Sequence, residues 1–116
     1  MGLVISDTYG VTNVLIEDMS LLDPISIEAM GQQLYELVDA KAKRKVVVDF
    51  HRVRHLSSQM IGAVIELHKK SASIKGKLVL CGMTKPVREG FKITKLDKLL
   101  TIVDDEKDAV GKLAGL

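Results

Sequence analysis

Aromatic residues are scarce in this chain, which contains two Tyr, two Phe and no Trp. Proteins that hold single-stranded nucleic acid stack the bases on aromatic side chains, so this composition disfavours that function. A formal net charge of only +2 also lacks the strongly basic footprint of a nucleic-acid-binding domain. We therefore expect no nucleic-acid partner.

Cysteine and long apolar runs are equally sparse. Cys81 is the only cysteine, so no disulfide can form within the chain, which fits a reducing compartment. The first residues, Met1 to Asp7, contain no basic segment of the kind that opens a signal peptide. No stretch approaches the roughly 18 consecutive apolar residues of a transmembrane helix. The sequence predicts a cytoplasmic protein without direct membrane insertion.

The chain is nevertheless long and apolar enough to fold by itself. Its 116 residues match one ordinary domain, and we expect a single domain over residues 1–116. The hydrophobic fraction of 47% and the charged fraction of 28% are typical of a globular protein with a real core. A disordered chain would have fewer apolar residues and a stronger net charge.

The N-terminal third predicts a hairpin followed by a helix. Two short apolar runs, Leu3 to Asp7 and Thr12 to Glu17, flank Tyr9-Gly10 as the arms of a β-hairpin would. Asp23 has the features of a helix N-cap, and Pro24 those of the first helical residue. The helix that follows is amphipathic, because apolar residues recur at three- and four-residue spacing: Ile27, Met30, Leu34, Leu37 and Val38.

Strands then alternate with helices to the end of the chain. The apolar runs at 46–50 and 77–81 read as strands buried in a parallel sheet, and Leu99 to Val103 as a last strand. Helices are predicted to begin at Ser57 or Ser58, at 84–86 and at 104–106. We expect the second helix to face inward with Ile61, Val64, Ile65, His68 and Ala72.

This order predicts an α/β fold. A mixed, mostly parallel sheet should carry an N-terminal antiparallel edge and be covered by about four helices.

Enzyme motifs are missing from the sequence. It contains no G-x-G-x-x-G after a strand, no phosphate-binding G-x-x-x-x-G-K-[ST] and no C-x-x-C. His51 and His55 flank two arginines in a basic loop, and no nearby thiol or carboxylate completes a metal site. Cys81 follows a buried strand and is interpreted as a small core residue. We expect no enzyme activity, no catalytic residue, no cofactor and no metal.

Two polar segments remain as candidate sites. Ser57-Ser58-Gln59 lies where a parallel strand has ended and a helix begins, the edge at which α/β sheets bind their ligands. A serine there is either a helix cap or a position where phosphate would add charge to a binding surface. The basic run Lys41, Lys43, Arg44 and Lys45 is interpreted as a solvated surface.

These segments, in this order, resemble a STAS domain, the family of anti-sigma factor antagonists and of sulphate-transporter cytoplasmic domains. The run 46–50 resembles the family's central strand, and 57–62 stands in the place of its D-S-S-G-L-G signature. The run 76–80 resembles its G-G-x-L-x-L strand. Pro86-Val87-Arg88 and the segment 96–100 resemble its P-x-V-R and L-D-K-L-L segments.

The resemblance implies a regulatory protein that binds a serine-kinase anti-sigma factor, or a similar regulatory protein, and releases it when a serine is phosphorylated. It implies a partner-binding surface made of Asp23, His55, Ser57, Ser58, Gln59 and Met60. The phosphorylation candidates are Ser58 and Ser57, and the expected oligomeric state is a monomer or weak dimer.

The serine signature departs from the family's pattern. Counted without gaps from Asp49, Gln59 occupies the position of the usual phosphoacceptor, Ser58 precedes it and Gly62 falls on the second glycine. A slip of one residue would align Ser57-Ser58 with the serine pair but misplace Gly62.

Two other functions stay open. A structural STAS subunit of a signalling scaffold or a transporter-associated complex would need no phospho-switch. A small-molecule binder would use the helix N-terminus as an anion site.

Overall fold

Residues 2–114, which the computed structural model describes, form seven strands and four α-helices. The strands are β1 Leu3–Thr8, β2 Val11–Ile16, β3 Ser20–Leu21, β4 Lys45–Asp49, β5 His55–Leu56, β6 Lys77–Cys81 and β7 Thr101–Val103. The helices are α1 Pro24–Asp39, α2 Ser58–Ser73, α3 Lys85–Ile93 and α4 Glu106–Ala114, with a 3-10 turn over Leu96–Lys98.

The main sheet is mixed and has the strand order β1-β2-β4-β6-β7. Strand β1 pairs antiparallel with β2, and the other neighbours pair parallel. The connection between β1 and β2 is Tyr9-Gly10, and both residues have positive φ, at 54° and 77°. Two positive φ values give a turn whose twist matches that of the flanking strands, so the tight hairpin forms here. The predicted hairpin and fold class are confirmed.

The two faces of the sheet are covered unequally. On one face α1, α2 and α3 enclose the larger core, in which the rings of Phe50 and Phe91 meet edge to face at 6.4 Å. The other face packs a small cluster against α4: Val11, Val47, Val79, Cys81, Ala109 and Leu113. Strands β4 and β6 are therefore buried on both sides, which explains their continuous apolar sequence.

Helix α2 is rotated relative to the sequence prediction. It buries Met60, Ala63, Val64, Leu67 and Ser71, whereas Ile61, Ile65 and His68 are only half-buried and Ala72 is exposed. Two apolar stripes offset by one residue run along this helix, and both have helical spacing. The stripe that holds Met60 and Leu67 supplies the fully buried side chains. The predicted inward face is therefore wrong by about 100° of rotation around the helix axis, which corresponds to one residue.

A second, two-stranded sheet was not expected from the sequence. Strand β3 pairs in parallel with β5, joining Ser20 to His55 and Leu21 to Leu56. The last strand of the main sheet begins at Thr101 and not at Leu99, because the N–H groups of Leu99 and Leu100 both donate to the Leu96 carbonyl oxygen and close the preceding 3-10 turn. The small sheet holds the segments that precede α1 and α2 side by side.

Gly82 closes the end of β6 in a conformation that requires glycine. Its φ is +73°, and its N–H donates to the Asp104 carbonyl oxygen at 3.0 Å. A Cβ at this position would collide with the Asp49 carboxylate and lie 3.0 Å from the His51 backbone nitrogen. That carboxylate is already bonded to the His51 N–H and to His51 Nδ1, each at 2.9 Å.

The substitution Gly82→Ala should therefore lower the free energy of unfolding by at least about twice as much as Gly10→Ala. Both glycines have positive φ, but a Cβ at Gly10 meets nothing within 4 Å. Backbone strain alone should lower the free energy of unfolding by about 1 kcal/mol in Gly10→Ala. In Gly82→Ala the new Cβ also displaces the buried Asp49 carboxylate, which should increase this loss by at least about 1 kcal/mol. Urea unfolding of both variants measures this difference, and equal losses would contradict the packing argument.

Candidate functional site

The starts of α1 and α2 lie next to each other at one edge of the sheet. The N–H groups of Arg54 and His55 both donate to the Met19 carbonyl oxygen, at 2.7 and 3.2 Å. The Ser57 N–H donates to the Leu21 carbonyl oxygen at 3.0 Å. Both helices therefore begin immediately after the short ladder of β3 and β5, which fixes their relative position.

Asp23 is the N-cap of α1, as the sequence predicts. Its Oδ2 accepts hydrogen bonds from the Ser26 hydroxyl at 2.6 Å and from the Ser26 N–H at 3.3 Å. The bond from the hydroxyl, followed by that from the backbone, lowers the pKa of the Asp23 carboxyl below its usual value. Asp23 is exposed, so its charge faces solvent at physiological pH.

The two serines at the start of α2 have different roles. Ser57 is the N-cap, because its backbone is extended and its Oγ accepts from the Met60 N–H at 3.3 Å. Ser58 is the first helical residue and is exposed. Its hydroxyl makes no hydrogen bond to any other residue in the range 2–114. The first turn of α2 also contains no acidic side chain.

Gln59 joins the two helix starts. Its Nε2 donates to the Pro24 carbonyl oxygen at 3.1 Å, across the gap between α2 and α1. Met60 is completely buried in the core, so its predicted place in the partner-binding surface is corrected: it supports the helix from beneath. The other predicted residues, Asp23, His55, Ser57, Ser58 and Gln59, are brought together at this edge, with Ser57 only half-exposed.

A shallow groove of about 280 Å³ continues from the helix starts toward α3. Its lining combines apolar side chains with the basic groups of Arg54 and His55: Leu22, Arg54, His55, Leu56, Ile61, Pro86, Val87 and Gly90. Leu22 and His55 therefore belong both to the groove and to the segments that precede the two helices.

Three exposed apolar side chains lie around the starts of α1 and α2 and are not among the residues predicted from the sequence. Met19, Leu22 and Ile25 are 60%, 55% and 80% exposed. The helical pattern held a signal for one of them, because Ile25 falls outside the inward stripe that begins at Ile27. We use the term helix-start face for Met19, Leu22, Asp23, Ile25, His55, Ser58 and Gln59.

The remaining reactive side chains are placed elsewhere. Cys81 is fully buried, and burial, with the charge of Asp49 next, raises the pKa of its thiol to about 12. Such a thiol stays protonated and is a weak nucleophile. A carboxylate does lie beside His51, contrary to the sequence expectation, because His51 Nδ1 is 2.9 Å from Asp49 Oδ2. No cluster of three His, Cys, Asp or Glu suited to a metal ion occurs between residues 2 and 114. No helix of that same stretch is long and apolar enough to cross a bilayer.

Comparison with known proteins agrees with this architecture. The family model of the STAS domain matches residues 9–109, which is most of the chain. The chain belongs to the STAS family. The match spans the region from the hairpin turn into α4, including the helix-start face.

One similar sequence and two similar structures carry names that refer to anti-sigma factor antagonists. BtrV of Bordetella bronchiseptica, whose proposed role is that of an anti-sigma factor antagonist, is 28% identical over 110 residues, covering 95% of this chain and 85% of BtrV. An anti-sigma-factor antagonist domain protein from Planctomyces limnophilus has the same fold with a TM-score of 0.88 at 17% identity, covering 98% and 99% of the two chains. The anti-sigma factor antagonist SpoIIAA, in its unphosphorylated form, gives 0.83 at 17% identity, covering 99% and 98%.

The geometry of this STAS domain predicts unequal losses of stability when its two neighbouring serines are replaced. Ser57→Ala removes the cap of α2 and should lower the free energy of unfolding by about 1 kcal/mol. Ser58→Ala removes an exposed hydroxyl and should change it by less than about 0.5 kcal/mol. Thermal and urea unfolding measure both values. A larger loss for Ser58→Ala than for Ser57→Ala would contradict the assigned cap.

Proposed function

We propose that this STAS domain is a regulatory binding module that docks a serine-kinase anti-sigma factor through its helix-start face. The observation that carries this proposal is the grouping of Met19, Leu22 and Ile25, all exposed, around the paired starts of α1 and α2. The family membership and the relatives named as anti-sigma factor antagonists support it. The proposed action is binding rather than catalysis, takes place in the cytoplasm and is carried out by a monomer or weak dimer.

The composition of the helix-start face suits a protein partner. Protein interfaces place apolar anchors at the centre of a contact and polar groups at its rim. Here Leu22 and Ile25 supply the apolar anchors, and Asp23, Ser58 and Gln59 supply the polar groups beside them. The groove lined by Leu22, Leu56 and Val87 adds a concave surface into which a partner side chain can insert.

Ser58 is the proposed switch within this face. Its hydroxyl is exposed, and it lies at the N-terminus of α2, where the helix dipole favours negative charge. Phosphate on Ser58 would add a charge of about −1.5 to −2. The free protein should tolerate this charge, because it would lie at the positive end of the α2 dipole. The partner, however, would have to displace the hydration shell of the phosphate, so the complex would be weakened. Gln59, one residue on, has no hydroxyl to accept phosphate.

Binding can be tested with purified components. The chain is titrated by calorimetry into a serine-kinase anti-sigma factor encoded in the same genome. The double variant Leu22→Ser/Ile25→Ser should lose at least roughly tenfold in affinity, because it removes two apolar anchors. Ile93→Ser is the matched control, since Ile93 is similarly exposed but lies at the end of α3. Equal affinity of the double variant and the wild type, or no binding to any such kinase, would reject the proposal.

Phosphorylation can be tested by incubating the chain with that kinase and ATP, followed by intact-mass measurement. We expect one phosphate group on the wild type and on Ser57→Ala, and none on Ser58→Ala. Ser58→Glu should bind the kinase at least roughly tenfold more weakly than Ser58→Ala does, because a negative charge enters the interface. Phosphate on another residue, or equal binding of the two Ser58 variants, would refute the switch.

A constitutive structural subunit is the second candidate function. It is favoured by Gln59, which stands at the position of the usual acceptor and uses its side chain to bond the start of α1. A domain of this kind would bind its partners without regulation. Light scattering after size-exclusion chromatography distinguishes the two functions, because a stable large assembly supports the structural role and a monomer or weak dimer supports the antagonist.

A further inference from the structure

Strand β1 is an open edge of the main sheet, because no strand of residues 2–114 lies on its outer side. The Glu17 N–H donates to the carbonyl oxygen of Gly2, which stands directly opposite, at 3.0 Å. Hydrogen-bonded pairs alternate with non-bonded pairs along an antiparallel ladder. The backbone groups of residues 4, 6 and 8 therefore also point toward β2. The N–H and C=O groups of three residues point away from the sheet: Leu3, Ile5 and Asp7.

This edge lacks the usual protection against pairing with another strand. Proteins protect an edge strand by keeping it short, by placing Lys or Pro in it, or by interrupting it with a bulge. Strand β1 has six residues in unbroken register with β2, and its sequence LVISDT contains neither Lys nor Pro. Strand β7, at the other edge, has only three residues. The outer side of β1 is therefore the long edge that is available for a further strand.

Apolar side chains of β1 are exposed on both faces of the sheet. Ile5 is 44% exposed and stands opposite Val14, so it lies on the face of the larger core. Val4, the preceding residue, points to the face that packs against α4 and is 47% exposed. Strand β2, which has a neighbour on each side, is almost entirely buried. Val4 and Ile5 are exposed because no strand flanks β1 on its outer side.

We propose that β1 pairs antiparallel with β1 of a second copy of this chain, which joins the two main sheets into one. The two-fold axis passes through Ile5, so Ile5 stands opposite its own counterpart and Leu3 opposite Asp7 of the second copy. This register pairs all three outward-facing residues of each copy with one another, with two hydrogen bonds in each pair. Any other antiparallel register pairs fewer of them.

The side chains at the centre of this contact are compatible with a second copy. Ile5 packs against Ile5 of the second copy on one face, and Val4 stands opposite Ser6 on the other. Cross-strand pairs that contain β-branched side chains stabilise a sheet by about 0.2–1 kcal/mol each. The apolar area that is exposed in one copy is therefore covered by the same residues of the other.

The charges also favour the register centred on Ile5. Asp7 is the one charged residue of β1, and in this register it stands opposite the apolar Leu3. Its carboxylate lies 3.7 Å from Lys43 Nζ and accepts from the Thr12 hydroxyl at 2.8 Å, within the same chain. Like charges directly opposite one another destabilise a sheet. A register centred on Asp7 would create such a pair, whereas the register centred on Ile5 contains none.

The contact is small, so the dimer should be weak. Stable interfaces bury roughly 1,200–2,000 Å². A ladder over residues 3–7 with two apolar side chains from each copy is smaller than that. We expect a dissociation constant on the order of 0.1 mM. This contact goes beyond kinase docking and does not rest on it, because β1 contributes no residue to the helix-start face.

Sedimentation equilibrium at protein concentrations up to about 1 mM measures the association. The wild type should form a dimer as concentration rises. Ile5→Lys should dimerise at least roughly tenfold more weakly, because it places two lysines opposite each other across the two-fold axis. Ile93→Lys is the matched control, since Ile93 is also exposed but lies at the end of α3. It should dimerise as the wild type does.

A mixing experiment tests the position of the two-fold axis. Ile5→Glu should dimerise as weakly as Ile5→Lys, because two carboxylates then face each other. An equimolar mixture of the two variants should recover dimers, since Lys and Glu then stand opposite one another. Circular dichroism of each variant checks that it is folded. Recovery in the mixture requires that residue 5 of one copy faces residue 5 of the other.

Four results would overturn this dimer. The first is a wild type that stays monomeric at every concentration, which would leave the edge to a strand of another protein. The second is a folded Ile5→Lys variant that dimerises as the wild type does. The third is a mixture that forms no more dimer than either charged variant alone. The fourth is loss of the dimer in Leu22→Ser/Ile25→Ser, which would place the contact on the helix-start face. No kinase enters these measurements, so failure of kinase docking and failure of the dimer are distinguishable.

Discussion

Parallel pairing of β2, β4 and β6 is the constraint on which the arrangement of this molecule depends. Two neighbouring parallel strands can be joined only by a connection that returns from the carboxyl end of one strand to the amino end of the next. Here α1 lies in the connection from β2 to β4, and α2 in the connection from β4 to β6. The helices α1 and α2 therefore begin at the carboxyl edge of the strands and end at the amino edge. Free N–H groups and apolar helix-start residues therefore lie at one end of the sheet. Arg44, Lys45, Lys75 and Lys77 lie at the other end, where β4 and β6 begin.

The same constraint explains why much of the fold is predictable from the sequence. A strand buried on both faces must be apolar throughout, so the runs at 46–50 and 77–81 are recognisable without any tertiary information. The hairpin is also predictable from adjacent residues, because the positive φ values of Tyr9 and Gly10 form the tight turn that joins β1 to β2. Asp23 and Pro24 mark the start of α1 for equally local reasons.

The parts that sequence reasoning missed are those decided by distant contacts. Strands β3 and β5 have two residues each, which is too short for any periodic pattern, and they exist because Ser20 and His55 are brought together by the fold. The predicted inward face of α2 is wrong because the helix carries two rows of apolar residues with the same helical spacing. Only packing against the sheet decides that the row with Met60 and Leu67 is buried. In the same way, the sequence does not show that Lys75 and Lys77 lie beside Arg44 and Lys45, because the pairing of β4 with β6 brings them together.

Gln59 and the proposed phosphoacceptor Ser58 make different contacts at the start of α2. Successive helical residues are separated by about 100° around the axis and about 1.5 Å along it, so an acceptor at Ser58 points in a different direction from one at position 59. At position 59 the side chain is turned toward α1, because its amide reaches the Pro24 carbonyl oxygen. Ser58 is instead exposed and has no such bond across to α1. The phosphate proposed for Ser58 would therefore lie off the contact between Gln59 and Pro24 that joins the two helices, and would leave that contact in place.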